Sequence, residues 1–169
     1  MASSKQSAPP ATTSASSSRA PATTSTSSRT ISASTPETVV IALGSNLGDR
    51  AYFLRRALHE LRDVVRIVRV SAIRETAPVD APPHSPPFLN MAVAGYTHLA
   101  PLALLDALLA IERRLGRVRG SVRNAPRIID LDLIFYGAHR MRTRALTLPH
   151  PRFHEREFVL APLRDIGMW

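Results

Sequence analysis

Apolar residues change their spacing several times along this chain, and each change marks an element. Val39-Val40-Ile41-Ala42-Leu43 is a continuous apolar run ending at Gly44-Ser45-Asn46, the pattern of a central strand. After Asp49, which can cap a helix, Leu54, Leu58 and Leu61 recur at helical spacing. Val64 to Ala72 is β-branched with Arg66 and Arg69 interspersed, and Phe88 to Thr97 is again apolar, so two strands are expected there. Between them, Ala77 to Pro87 contains five prolines, and a loop of that length in a small domain usually has a task. Pro101 opens a second helix that carries Leu104, Leu105, Leu108, Ile111 and Leu115 on one side and closes at Gly116. Arg117 to Pro126 reads as a second loop. The run Arg127-Ile128-Ile129-Asp130-Leu131-Asp132-Leu133-Ile134-Phe135-Tyr136 then reads as a largely buried strand. The order β-α-β-β-α-β predicts an α+β, ferredoxin-like layer, an antiparallel-rich sheet with helices packed on it.

Residues 1–37 break this pattern. They are dominated by Ser, Thr, Ala and Pro, with almost no large apolar side chain after Met1. Such a segment cannot bury enough surface to offset ordering entropy, so a disordered tail, 1–37, is expected ahead of one domain, 38–169. Its Ser-rich, acid-poor composition is also that of an organelle transit peptide, but with three basic residues and no amphipathic pattern a dispensable tail is preferred. The chain has 169 residues, 44% of them hydrophobic, which is enough for an ordinary core. Cysteine is absent, which excludes disulfides and thiolate metal sites. No apolar run approaches the roughly 20 residues that span a bilayer, so a soluble, cytoplasmic protein without membrane attachment is expected.

The net charge of +9 favours a polyanionic partner, and residues 38–169 carry +7 of it. Lys5 is the only lysine, so a Walker A loop and a Schiff-base mechanism are excluded from the folded part. Asp130 and Asp132 give the charge a sharper meaning. Side chains alternate along a strand, so Ile129, Leu131, Leu133 and Phe135 share one face and the two Asp residues the other. Two carboxylates in an apolar strand repel each other and lose hydration, and need a cation or basic neighbours. Arg117, Arg119, Arg123 and Arg127 lie just upstream. Carboxylates for a divalent metal beside guanidinium groups for phosphate suggest chemistry on a polyphosphate. A salt-bridged strand edge is the plainer reading of these residues. An RNA-binding module is a third, although it needs exposed aromatics where this strand presents acid. A D-x-D nucleotidyltransferase is a fourth, although there the Gly-Ser turn and the acids lie close in sequence, whereas Gly44 and Asp130 are 86 positions apart.

Six segments, in order, resemble the 6-hydroxymethyl-7,8-dihydropterin pyrophosphokinase family of folate biosynthesis. They are Ala42-Leu43-Gly44-Ser45-Asn46-Leu47-Gly48; Glu75-Thr76-Ala77-Pro78-Val79; Pro87-Phe88-Leu89-Asn90; Ile111-Glu112 with Gly116-Arg117-Val118-Arg119; Pro126 to Asp132; and Leu148-Pro149-His150-Pro151 with Arg156 and Phe158. The resemblance runs from about Val39 to Leu163. It implies transfer of the terminal two phosphates of ATP, as one unit, to the hydroxymethyl group of a reduced pterin, leaving AMP.

The resemblance also implies roles. Asp130 and Asp132 would hold two Mg²⁺ ions. Arg117, Arg127 and Arg119 would clamp the triphosphate, with Arg156, His150, Thr147 and Glu112 as further nucleotide contacts. Phe88 and Phe158 would stack on the two faces of the pterin. Asn90, Thr76 and the segment Ala77, Pro78 and Val79 would contact its edges, and Asn46 would order the pterin loop. The partners implied are ATP and the reduced pterin, with no nucleic acid, and action as a monomer. Three departures stand out. Asn124-Ala125-Pro126-Arg127 replaces a common Trp-Gly-Pro-Arg, Asp80 stands where Gly is common, and the chain stops at Trp169, soon after the last motif. The first removes an aromatic lid, and the second stiffens the loop or adds repulsion near the phosphates.

Overall fold

Glu37–Ser45 forms a central strand, β1, with neighbours on both sides. The computed structural model describes residues 35–118 and 124–169. The expectations for residues 1–34, for Arg119 and for Arg123 therefore lie outside the described residues. The remaining elements are α1 (Arg50–Leu61), β2 (Arg66–Val70), β3 (Arg74–Thr76), β4 (Phe88–Thr97), α2 (Pro101–Arg114), β5 (Asp130–Tyr136), β6 (Met141–Arg142), β7 (Thr147–Leu148) and α3 (Glu157–Asp165). The main sheet runs β2-β4-β1-β5, with β3 also on β4, and its pairs are antiparallel. This is the expected ferredoxin-like order, with β2 and β3 together filling the place of one edge strand.

Local chemistry accounts for the helix ends. The Asp49 carboxylate accepts the Tyr52 amide at 2.9 Å, capping α1. At the other end of α2, Gly116 adopts φ 94°. Its amide bonds to Arg113 O at 3.0 Å and the Arg117 amide to Glu112 O at 2.9 Å. This paired closure is a Schellman motif, and it folds Arg117 back beside Glu112.

Two apolar clusters lie on opposite faces of the sheet. Val39, Ile41 and Leu43 of β1 join Leu54, Leu61, Leu104, Leu108 and Ile111 from α1 and α2. Val40, Ala92, Ala94 and Ile134 join Val159, Leu160, Leu163 and Ile166 of α3 and its end. The expected alternation in β5 holds only to Leu133. Ile41 pairs with Leu133 and Val40 with Phe135, so Ile134 is an extra residue, a β-bulge. The bulge resets the phase: Phe135 packs with the α3 cluster, not with Leu131 and Leu133 as the simple period implied.

Other boundaries also move. The strand expected over Val64 to Ala72 is shorter, Arg66–Val70, and β3 lies beyond it and was not anticipated. Between the two, Ser71 meets Ala92 with its amide and its side chain, donating to Ala92 O and accepting the Ala92 amide, each at 2.9 Å. The strand expected from Arg127 begins at Asp130. The short β6–β7 hairpin and α3 were not anticipated; Pro162 inside α3 argues against a helix on propensity alone.

Candidate active site

The register of the three central strands builds one end of the α3-side face. Gly44 lies opposite Asn90 on one side and Asp130 on the other, and Ala42 lies opposite Ala92 and Asp132. Alternation places Val40, Ala42 and Gly44 on this face together. α3 packs over the Val40 end. The Ala42–Gly44 end, where side chains are small, stays open as a cleft that merges with solvent. Phe158 and Arg156, at the start of α3, form part of its wall, with Thr76, Ala77, Val79, Phe88, Asn90, Arg127, Asp130 and Asp132. Sequence reasoning treated Gly44 as a strand end only. A Cβ there would sit 3.1 Å from Asn90 Oδ1 and 3.6 Å from Phe88 Cδ1, so the missing side chain lets both groups lie over the floor.

The acids and guanidinium groups form a linked set. One Arg117 nitrogen, Nη1, donates to Asp130 Oδ1 and to Glu112 Oε1, the latter at 2.5 Å. Arg127 Nε lies 3.1 Å from Asp130 Oδ2, close enough for charge attraction though not aligned for a hydrogen bond. Glu112 is 1% exposed, and its carboxylate also accepts the Leu131 amide at 2.8 Å. It therefore joins α2, β5 and Arg117, and its place is under the site rather than in the cleft. Burial, and next the neighbouring Asp130 charge, push the Asp132 carboxyl up to about 7 against the pull of Arg156 and Arg127. A cation in the cleft would relieve that cost.

Among the described residues, no three His, Cys, Asp or Glu side chains gather into a ready-made metal cage. The Asp pair nonetheless fits a hard cation that takes its other ligands from phosphate and water, as Mg²⁺ does.

The aromatic groups carry cations of their own. The Arg127 guanidinium lies 5.5 Å from the centre of the Phe88 ring, and that of Arg156 lies 5.6 Å from the centre of Phe158. Each ring is thus tied to a phosphate-binding candidate, at the junction of the apolar and charged parts of the cleft. Asn90 donates to Thr76 Oγ1 at 2.8 Å, which fixes its amide plane.

Other expected site residues lie outside the cleft wall. Asn46 is 2% exposed. Its side chain donates to Pro86 O at 3.1 Å and accepts the Arg127 amide at 2.7 Å. It joins the end of the Pro-rich loop to Arg127, an ordering task rather than a direct contact. Pro78 is half-buried in the loop, and Thr147 sits in β7 opposite Arg142. His150 is held by its amide to Ile134 O at 3.0 Å. Its Nδ1 accepts the Arg152 amide at 3.3 Å, which leaves Nε2 to carry the proton of a neutral ring. Burial, then Arg156, lowers its pKa below the usual value, so the ring is neutral at pH 7.

Both departures in the loops have a conformational reason. Asp80 has φ 52° and Asn124 φ 54°, the left-handed region that Asp and Asn tolerate better than most residues. Asp80 is ion-paired with Arg152 at 2.9 Å, so its charge is met by a cation rather than left to oppose phosphate.

Residues 40–168 match the family described as 7,8-dihydro-6-hydroxymethylpterin-pyrophosphokinase (HPPK). The chain belongs to the HPPK family. A Bacillus subtilis relative, a 2-amino-4-hydroxy-6-hydroxymethyldihydropteridine pyrophosphokinase, is 47% identical over 128 residues, covering 75% of each chain. The mitochondrial folate synthesis bifunctional protein of Pisum sativum is 48% identical over 131 residues, 77% of this chain and 25% of the relative. A comparable protein of Arabidopsis thaliana is 44% identical over 137 residues, 80% of this chain and 28% of the relative. The chain therefore spans about a quarter of the length of these plant relatives. In fold, a Plasmodium falciparum HPPK-DHPS structure matches with a TM-score of 0.64 at 16% identity, over 80% of this chain and 40% of that one.

Proposed function

We propose that this HPPK chain transfers diphosphate from ATP to the hydroxymethyl group of 6-hydroxymethyl-7,8-dihydropterin, giving AMP and the pterin diphosphate in folate synthesis. The observation that carries this reading is the single cleft in which Asp130, Asp132, Arg127 and Arg156 adjoin Phe88, Phe158 and Asn90. One part suits a polyphosphate and the other a flat heterocycle with hydrogen-bonding edges. The Bacillus subtilis relative carries the corresponding name.

In this mechanism the pterin stacks between Phe88 and Phe158 while Asn90 meets its polar edge. Arg127 and Arg156 grip phosphate oxygens, with His150 donating from Nε2. The pterin hydroxyl oxygen forms a bond to the β-phosphorus as the bond from that phosphorus to the α,β-bridging oxygen breaks, and the hydroxyl proton leaves to solvent. Asp130 and Asp132 would hold Mg²⁺, two ions on the family pattern, which neutralise charge on the phosphates and acidify the hydroxyl. Positioning and electrostatics supply most of the rate in such a transfer. The chain is read as a cytoplasmic monomer, and sedimentation of the purified protein checks the second half of that statement.

The test is incubation with ATP, Mg²⁺ and 6-hydroxymethyl-7,8-dihydropterin, with products followed by chromatography and ³¹P NMR. AMP should appear in step with a pterin diphosphate. ADP with a pterin monophosphate would overturn the reading in favour of ordinary kinase chemistry.

A further inference from the structure

We propose that Asp80 and Arg152 form a latch that holds the Pro-rich loop across the cleft and sets how long the pterin stays bound. The inference rests on the pyrophosphokinase reading above and adds two positioning residues to it.

The loop between β3 and β4 is tied at its base. Arg50 donates to Pro87 O at 2.8 Å and pairs with Glu75 at 2.8 Å, while Asn46 holds Pro86. Near its other end the loop contributes Ala77, Val79 and Asp80 to the cleft wall. There it is held by contacts to two distant segments. Arg152 Nη2 donates to Asp80 Oδ2 at 2.9 Å, and Asn124 Nδ2 donates to Asp80 O at 2.8 Å. Arg152 is itself aimed by Glu155, which accepts from its Nε at 3.2 Å, and its amide is bonded to His150. One residue of the pterin loop is thereby joined to the segment that carries His150 and Arg156.

The left-handed backbone at Asp80 gives the contact its direction. A Gly would accept the same φ without a side chain to bind. Asp accepts it less readily and gains a charged partner. The Asp80 side chain is 57% exposed and that of Arg152 35%. A pair so exposed is weak, which suits a contact that must open each turnover to admit and release substrate. Neither side chain needs to touch a reacting atom, so both act on residence time rather than on phosphoryl transfer itself.

Asp80→Asn keeps a side chain that tolerates positive φ and removes the charge, and Arg152→Gln removes the other partner. The experiment measures release of bound 6-hydroxymethyl-7,8-dihydropterin by stopped-flow fluorescence, in the full chain with Mg²⁺ and a non-hydrolysable ATP analogue. Each variant should release the pterin about two- to five-fold faster, the range of an exposed ion pair. The double variant should match the singles rather than multiply them. Arg152→Lys should restore part of the loss, and melting temperatures should stay together. Unchanged release rates in the variants of an active wild-type protein, or effects that multiply in the double variant, overturn the latch alone. A wild-type protein that binds no reduced pterin overturns the functional reading and the latch with it.

Discussion

Asp130 and Asp132 share a face of β5, but their neighbours divide the work between them. Asp130 already has Arg117 and Arg127 against it, while Asp132 is pushed up to about 7 by burial and by Asp130. On the proposed metal role, Asp130→Asn should keep the fold and lower turnover by about a hundred-fold or more, because a proposed ligand for a phosphate-bound cation is lost. Near-normal activity in the product assay would remove the metal assignment. Asp132 also makes a pH prediction. Its carboxyl ordinarily titrates at 3.8, so between about pH 4 and 7 the folded protein binds a proton that the unfolded chain has released. Metal-free protein should lose stability from this group as the pH rises through that window. Thermal melts of wild type and Asp132→Asn should converge at low pH and separate above it, and Mg²⁺ should raise the wild-type midpoint more at pH 8 than at pH 5. Gly44→Ala would press its new methyl against Asn90 Oδ1 and narrow the approach of Phe88. It should raise the pterin KM several-fold while leaving the KM for ATP near its wild-type value, as steady-state kinetics would show.

At the level of elements, α2 and β5 depend on one buried acid. Glu112 takes the Leu131 amide and Arg117 Nη1 at 1% exposure. Glu112→Ala should cost about 2–4 kcal/mol in urea unfolding, since it strands a buried amide and part of a guanidinium. Glu112→Gln keeps one acceptor and should cost less. Glu112 also illustrates what was legible. The resemblance implied a nucleotide contact for Glu112, whereas the structure gives it a grip on the β5 backbone that no local signal marks, because that contact joins residues 19 apart in sequence. The helix starts at Asp49 and Pro101, the Gly116 end and the central strands were readable because caps, prolines and periodicity are local signals. The Asp pair, both Phe residues and Asn90 were found by motif and came together in one cleft. Arg152 was not singled out, since a loop arginine acquires meaning only when Asp80, 72 positions away, is brought to it. The bulge at Ile134 was hidden for a related reason. A run such as Leu133-Ile134-Phe135 is apolar at every position, so no polar residue marks where the phase changes.

For the molecule as a whole, the sheet is covered unequally. α1 and α2 protect one face, and α3 protects only part of the other. The site exists because that second cover is incomplete. α3 must therefore be seated for the cleft to have its Arg156 and Phe158 wall. Leu163 is fully buried beneath it. Leu163→Ala should destabilise the protein by about 2–5 kcal/mol in denaturant titration. It should also raise the KM for both substrates, because the same helix supports the residues proposed to hold each. Arg74 strengthens this seat from the sheet side, donating twice to Asp165 at 2.7 and 3.1 Å.

The extra residue in β5 has a consequence for engineering. It splits the strand into an acidic half, whose alternation serves the cleft, and an apolar half, whose alternation serves the two helix layers. A designer who transplants the acidic half onto another sheet must carry Ile134 with it or supply an equivalent offset. Without it, the aromatic that follows would turn toward the wrong layer, and a graft with every functional side chain in place would fail at its far end.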